Sequence, residues 1–138
     1  MKDNIHLFKE TINLKISKDN KLYYANMYLE EKSDRSCHIK ISLPNETISV
    51  TSCDFFDCLR ELKNEHPNIL IHCKGYKKNV YPSRMTRQMG LGLKAYEMKL
   101  GYQATFNDLV GIFDFEDEDL TSSNKEQEEF YKKWLASL

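Results

Sequence analysis

Residues 12–43 read INLKISKDNKLYYANMYLEEKSDRSCHIKISL, and their period decides the fold. Ile12, Leu14 and Ile16 alternate with polar neighbours. So do Tyr23, Ala25, Met27 and Leu29, and again Cys37, Ile39, Ile41 and Leu43. Successive side chains of a strand point to opposite faces, so this period of two marks strands with one buried face and one wet face. Asp19-Asn20 and Ser33-Asp34 stand between the runs as turn residues. The reading is an antiparallel meander whose alternation begins at Ile5, followed after Pro44-Asn45-Glu46 by a short fourth run, Thr47–Thr51.

The period changes at Ser52. Phe55, Cys58, Leu59 and Leu62 fall at helical spacing, Ser52 can cap, and Pro67 lies just past the end, which predicts a helix over 53–65. Asn68–Cys73 is short and apolar and reads as a central strand. Ser83 and Gly90 bracket a single helical turn at Arg84–Met89. Leu93–Leu100 alternates again, with Tyr96, Met98 and Leu100 on one face. Thr105-x-x-Asp108 resembles a capping box and predicts a short helix through Leu109, Val110, Ile112 and Phe113. Asp114–Asp119 reads as an acidic linker or exposed turn. After it, Ser123-x-x-Glu126 opens an amphipathic helix with a stripe of Phe130, Tyr131, Trp134, Leu135 and Leu138.

These elements predict an α+β domain: an antiparallel or mixed sheet, one main helix packed on a face, and a C-terminal amphipathic helix. A chain of 138 residues suits one domain spanning 1–138, and 30% charged with 41% hydrophobic residues excludes gross disorder. The N-terminal residues show no signal-peptide pattern and no run approaches a membrane span, so a cytoplasmic protein with reduced cysteines is expected, without contact with membrane. The net charge of -1 conceals an asymmetry. Residues 1–103 hold 17 Lys+Arg against 12 Asp+Glu, while residues 104–138 hold 3 against 9. The chain therefore offers two differently charged surfaces.

Chemistry-bearing patterns are sparse. Cys37-His38 and His72-Cys73 are adjacent within strands, so each pair diverges to opposite faces rather than converging on a metal. Gly75, Gly90, Gly92 and Gly101 match no phosphate-binding spacing, and no Ser or Cys carries a nucleophile signature. No metal, cofactor or catalytic residue is expected, although a Cys or His assembled in space remains an open rival. The basic run 74–99, with Lys77, Lys78, Arg84 and Arg87 interleaved by Tyr76, Tyr81 and Tyr96, offers a second rival: phosphate tracking and base stacking.

The run NVYPSRMTRQMGLGLKAYEMKLG from Asn79 to Gly101, followed by DLVGIFD, resembles a family of small bacterial immunity proteins encoded beside polymorphic or contact-dependent growth-inhibition toxins. Gly75, Asn79, Tyr81, Pro82, Ser83, Met85, Met89, Gly90, Gly92, Lys94, Ala95, Tyr96, Gly101, Leu109, Val110, Ile112 and Phe113 carry the resemblance. Relatives tend to have Gly where Arg84 stands and near Leu91, which sets this turn apart. The resemblance implies a cytoplasmic antitoxin that binds the C-terminal domain of one cognate toxin and has no chemistry of its own. It also implies that the shared motif is scaffold and that specificity lies elsewhere. Many such toxins are nucleases with basic active sites, so the acidic segment is the expected docking face: Phe113 and Phe115 as anchors, and Asp114, Glu116, Asp117 and Asp119 for charge complementarity.

Overall fold

The computed structural model describes residues 6–138. Strands β1 (Lys9–Lys18), β2 (Lys21–Glu31), β3 (Cys37–Leu43) and β4 (Glu46–Ser52) form the predicted meander, each antiparallel to the last. The expected start of the alternation, Ile5, lies outside the described residues. Asp19 and Asn20 both adopt positive φ, 50° and 67°, the backbone twist that suits a two-residue hairpin. Helix α1 (Phe55–Glu65) lies over β3 and β4. Phe55, Phe56, Leu59 and Leu62 meet Ile16, Met27, Ile39 and Ile41 of the inner sheet face in one core. The cap of α1 is Asp54, which accepts from Asp57 N at 2.7 Å, and not Ser52, which ends β4.

Strand β5 (Ile69–Ile71) corrects the expectation of a central strand. It pairs only with β1 and sits at the sheet edge, in the order β4-β3-β2-β1-β5. A second antiparallel sheet follows, β6 (Val80–Tyr81), β7 (Lys94–Glu97) and β8 (Leu109–Gly111), in the order β6-β7-β8. Both sheets are antiparallel throughout, so the mixed alternative is not taken up. The helix expected through 109–113 is β8 instead. Thr105 and Asp108 do form a capping box, but it closes a single 3-10 turn over Phe106–Asp108. Leu109 and Val110 then pair with Tyr96 and Ala95, and strand pairing overrides the local signal. In β7 the buried residue is Ala95, between the half-buried Tyr96 and the exposed Lys94. The strand stops before Met98, so the expected face of Tyr96, Met98 and Leu100 does not form.

Helix α2 (Arg84–Met89) is the single turn predicted, with Ser83 accepting from Thr86 N. It buries no residue of its own. Helix α3 (Asn124–Ala136) docks on α1 and β6. Trp134 is buried, and Tyr131 stacks between Tyr81 and Trp134 at 4.6 and 6.0 Å. Leu135 and Leu138 of the predicted stripe are exposed, whereas Gln127 is buried. Among the described residues no helix is long and apolar enough to cross a membrane.

Candidate functional site

The acidic segment 114–119 is exposed, as its composition suggests, except at the half-buried Glu116, but its backbone is tied to the fold. Lys74 N donates to Asp114 O (2.8 Å), Glu116 N to His72 O (3.2 Å) and Lys78 N to Asp119 O (2.9 Å). Phe115 bridges Cys73, and Leu120 bridges Lys77. The segment therefore ties to the chain just past β5, at His72 and Cys73, and continues along the 3-10 turn Lys74–Tyr76. Gly75 lets this turn pass close to α1 and to Ile112, just ahead of the segment. A Cβ there would collide with Leu59 Cδ1 and stand 3.2 Å from Ile112 O.

Side chains fasten the same seam. Glu116 Oε1 accepts from Lys74 Nζ and Lys77 Nζ, both at 2.8 Å, and its Oε2 accepts from the N–H groups of Asp117 and Glu118 at 3.0 Å. Glu97 shares both lysines, at 2.8 and 3.4 Å. Burial pushes the Glu116 carboxyl up, but the two ammonium groups and two backbone donors outweigh it and hold the pKa at about 2. The basic and acidic runs thus neutralise one another in part.

The expected anchor residues divide accordingly. Phe113 turns inward, edge-on to Phe55 at 6.1 Å. Asp114 accepts from Gly111 N at 3.1 Å and stays exposed. Glu116 is locked in the lysine pair, and Asp117 binds His72 and Lys15. Phe115 remains 58% exposed. Asp114, Glu118 and Asp119 make no ion pair among the described residues and flank that ring in sequence. Sequence reasoning did not single out Glu118, and it read the basic run with Lys77 as a phosphate-tracking surface rather than as the partner of Glu116.

A polar relay adjoins the seam. Asp117 Oδ1 lies 2.6 Å from His72 Nδ1, and His72 Nε2 lies 2.7 Å from Ser17 Oγ. The connectivity is that of a Ser-His-Asp relay. Ser17, however, lies inside β1 with Leu22 of β2 on one side and Leu70 of β5 on the other. Backbone N–H groups there lie in the sheet plane, so none converges above Oγ as an oxyanion hole requires. The arrangement works as a lock that pins Asp117, and with it the acidic segment, to the sheet.

The two rival readings lose parts as well. Tyr76 is buried and Tyr81 is stacked on Tyr131, so neither offers a platform for a base. Arg87 is held by Asp54 and Asp57 at 3.2 and 3.5 Å. Lys78, Arg84, Lys94 and Lys99 are the cations of that run without an ion pair among the described residues. Burial pushes all four thiols up, Cys37 and Cys73 to about 12, the opposite of an activated nucleophile. Cys37 and His38 do face opposite ways, His38 outward to Thr51 Oγ1 at 2.7 Å.

A surface concavity of ≈ 610 Å³ opens between the β2–β3 turn and α2, where Ser33 and Arg35 face Gln88 and Met89. Met85 and Met89 stand exposed on that helix. No protein-family model matches the chain, and no curated protein matches it.

Proposed function

We propose that the chain is an immunity protein that binds a cognate toxin domain, a nuclease by its expected chemistry, and blocks the toxin's basic active site in the cytoplasm. The observation that carries this reading is Phe115: a large apolar ring left open on a backbone tied to Cys73, in a segment where Asp114, Glu118 and Asp119 are exposed and make no ion pair among the described residues. An exposed ring within charge combines a desolvating anchor with electrostatic steering toward a basic partner. Because the segment is already fastened by backbone bonds and by Glu116, little ordering entropy opposes association. Glu116 and Asp117 spend their charge on Lys74, Lys77, Lys15 and His72 and so hold the segment in place, while Phe113 packs inward against Phe55.

The resemblance at Asn79–Gly101 supports the same reading, and there the motif residues act as scaffold. Tyr81 packs against Phe56 and Tyr131, and Asn79 Nδ2 donates to Met98 O at 2.9 Å.

The test is co-purification of the tagged chain with the product of the toxin gene encoded beside it, at low and high salt. A stoichiometric complex that protects the toxin's substrate supports the reading. A chain that elutes without the toxin, and carries nucleic acid that leaves at high salt, overturns it in favour of the lysines of residues 74–99.

A further inference from the structure

The five-stranded sheet treats its two edges differently. On the β5 side the strand is short, Ile69–Ile71, and residues 115–116 tie down the chain just past it, through the Cys73–Phe115 bridge and the bond from Glu116 N to His72 O. The β4 edge is bare. Among the described residues no backbone group of 46–51 bonds to the backbone of anything but β3. An open edge is a template for another strand, and proteins usually blunt it with Lys, Pro, a bulge or a covering loop. Strand β4 has none of these: its register with β3 runs unbroken over seven residues, and 47–53 reads TISVTSC without a charge.

We infer that β4 pairs with β4 of a second copy, antiparallel about a two-fold axis at Ser49, to make one continuous ten-stranded sheet. The order of side chains selects this occupant over an arbitrary strand. The core of the strand, Thr47-Ile48-Ser49-Val50-Thr51, reads nearly the same in both directions. A two-fold at Ser49 sets Ser49 against Ser49, Ile48 against Val50 and Thr47 against Thr51. A two-fold interface demands such self-complementarity. Ile48 and Val50 lie on the buried face, Thr47, Ser49 and Thr51 on the open face, so both faces continue in kind across the axis. Glu46 meets Ser52 of the second copy, so the axis brings no like charges directly together. A contact of one strand pair buries little area, which places the dimer among weak, concentration-dependent associations. This inference is independent of the toxin reading and engages none of the residues proposed for it.

The test uses the full chain with Cys53→Ser, which removes the exposed native thiol. Directly opposed residues of an antiparallel pair have Cα atoms about 4.5–5.5 Å apart, within disulfide reach. Ser49→Cys should therefore give a covalent dimer under mild oxidation, whereas Thr47→Cys alone should not. Thr47→Cys mixed with Thr51→Cys should. Sedimentation should show a monomer–dimer equilibrium for the unaltered chain. Ser49→Lys and Ser49→Glu should each be monomeric but restore the dimer when mixed. A chain that stays monomeric at the highest soluble concentration overturns the inference. So does the Thr47→Cys variant if it links to itself as readily as the Ser49→Cys variant does. Loss of toxin binding in Ser49→Lys, from a chain that is monomeric on its own, also overturns it, because the edge would then serve the toxin.

Discussion

Lys63 Nζ donates to Gln127 Oε1 at 2.7 Å, deep between α1 and α3, with no carboxylate in reach among the described residues. The ammonium also donates to Gly75 O at 3.0 Å and lies 4.5 Å from the Tyr76 ring centroid and 5.5 Å from that of Phe56. Gln127 Nε2 in turn donates to the carbonyls of Gly75, Lys77 and Val80. One glutamine therefore ties together three carbonyls in and just after the turn that the acidic segment rests on. Gln127→Leu should lose about 3 kcal/mol in urea unfolding, since it leaves the buried ammonium with Gly75 O alone and takes a donor from the carbonyls of Gly75, Lys77 and Val80. Adding Lys63→Met should recover part of that loss, because the stranded ammonium leaves with it. Additive single losses would refute the coupling.

The same lysine sets a pH dependence. Burial pushes Lys63 down from 10.5 to about 7. Above 10.5 neither state holds the proton. Between 10.5 and 7 the unfolded chain takes up a proton that the fold refuses, so stability falls as pH falls, by up to about 1.4 kcal/mol per unit. The buried thiols act with the opposite sign once unfolded thiols ionise, from pH 9.0 up to the value of about 12 for Cys37 and Cys73. Stability should therefore climb from about pH 7 to 9 and then turn over. In Lys63→Met the climb should be absent, which urea titrations at each pH will read directly.

Glu116 governs the acid side. Its folded pKa of about 2 lies below the ordinary 4.5, so its contribution is fully present above 4.5 and is lost as pH falls toward 2. Glu116→Gln should remove that acid-side slope and lower stability at neutral pH, by about 2 kcal/mol, because Lys74 and Lys77 are left sharing Glu97 alone. Amide exchange should quicken first at Glu116 and Lys78, whose N–H groups bond across the seam. An unchanged acid limb in the variant would show that the lysine pair does not fasten the segment.

The parts legible in the sequence are those with a local period. Ile12 to Leu43 alternate because one face meets α1, and Ser123 with Glu126 marks the start of α3. Leu109–Phe113 misled because a true capping box at Thr105 and Asp108 preceded apolar residues at helical spacing, while the partner strand that claims them lies at 94–96. The acidic segment carried no signal of its ties. Glu116 meets Lys74 and Lys77 across 42 and 39 residues, and no period links such positions. Gln127 was hidden for a related reason: a glutamine on a helix reads as wet face unless the buried lysine it serves is known.

Truncating Phe115 should separate the proposed binding from folding. It is exposed, so Phe115→Ala should leave the unfolding free energy within about 0.5 kcal/mol of the parent. Against a cognate toxin the same change should lose at least about 2 kcal/mol, roughly 30-fold in affinity, mostly as faster dissociation. Asp114→Asn, Glu118→Gln and Asp119→Asn together should instead slow association at low salt and matter little at high salt, as exposed steering charges do. Glu116 and Asp117 are left out of that set, because their loss would loosen the segment and confound the reading. Surface plasmon resonance across a salt series distinguishes the two effects. Equal rates for parent and Phe115→Ala would move the interface away from 114–119, and the exposed Met85 and Met89 of α2 would be the next side chains to truncate.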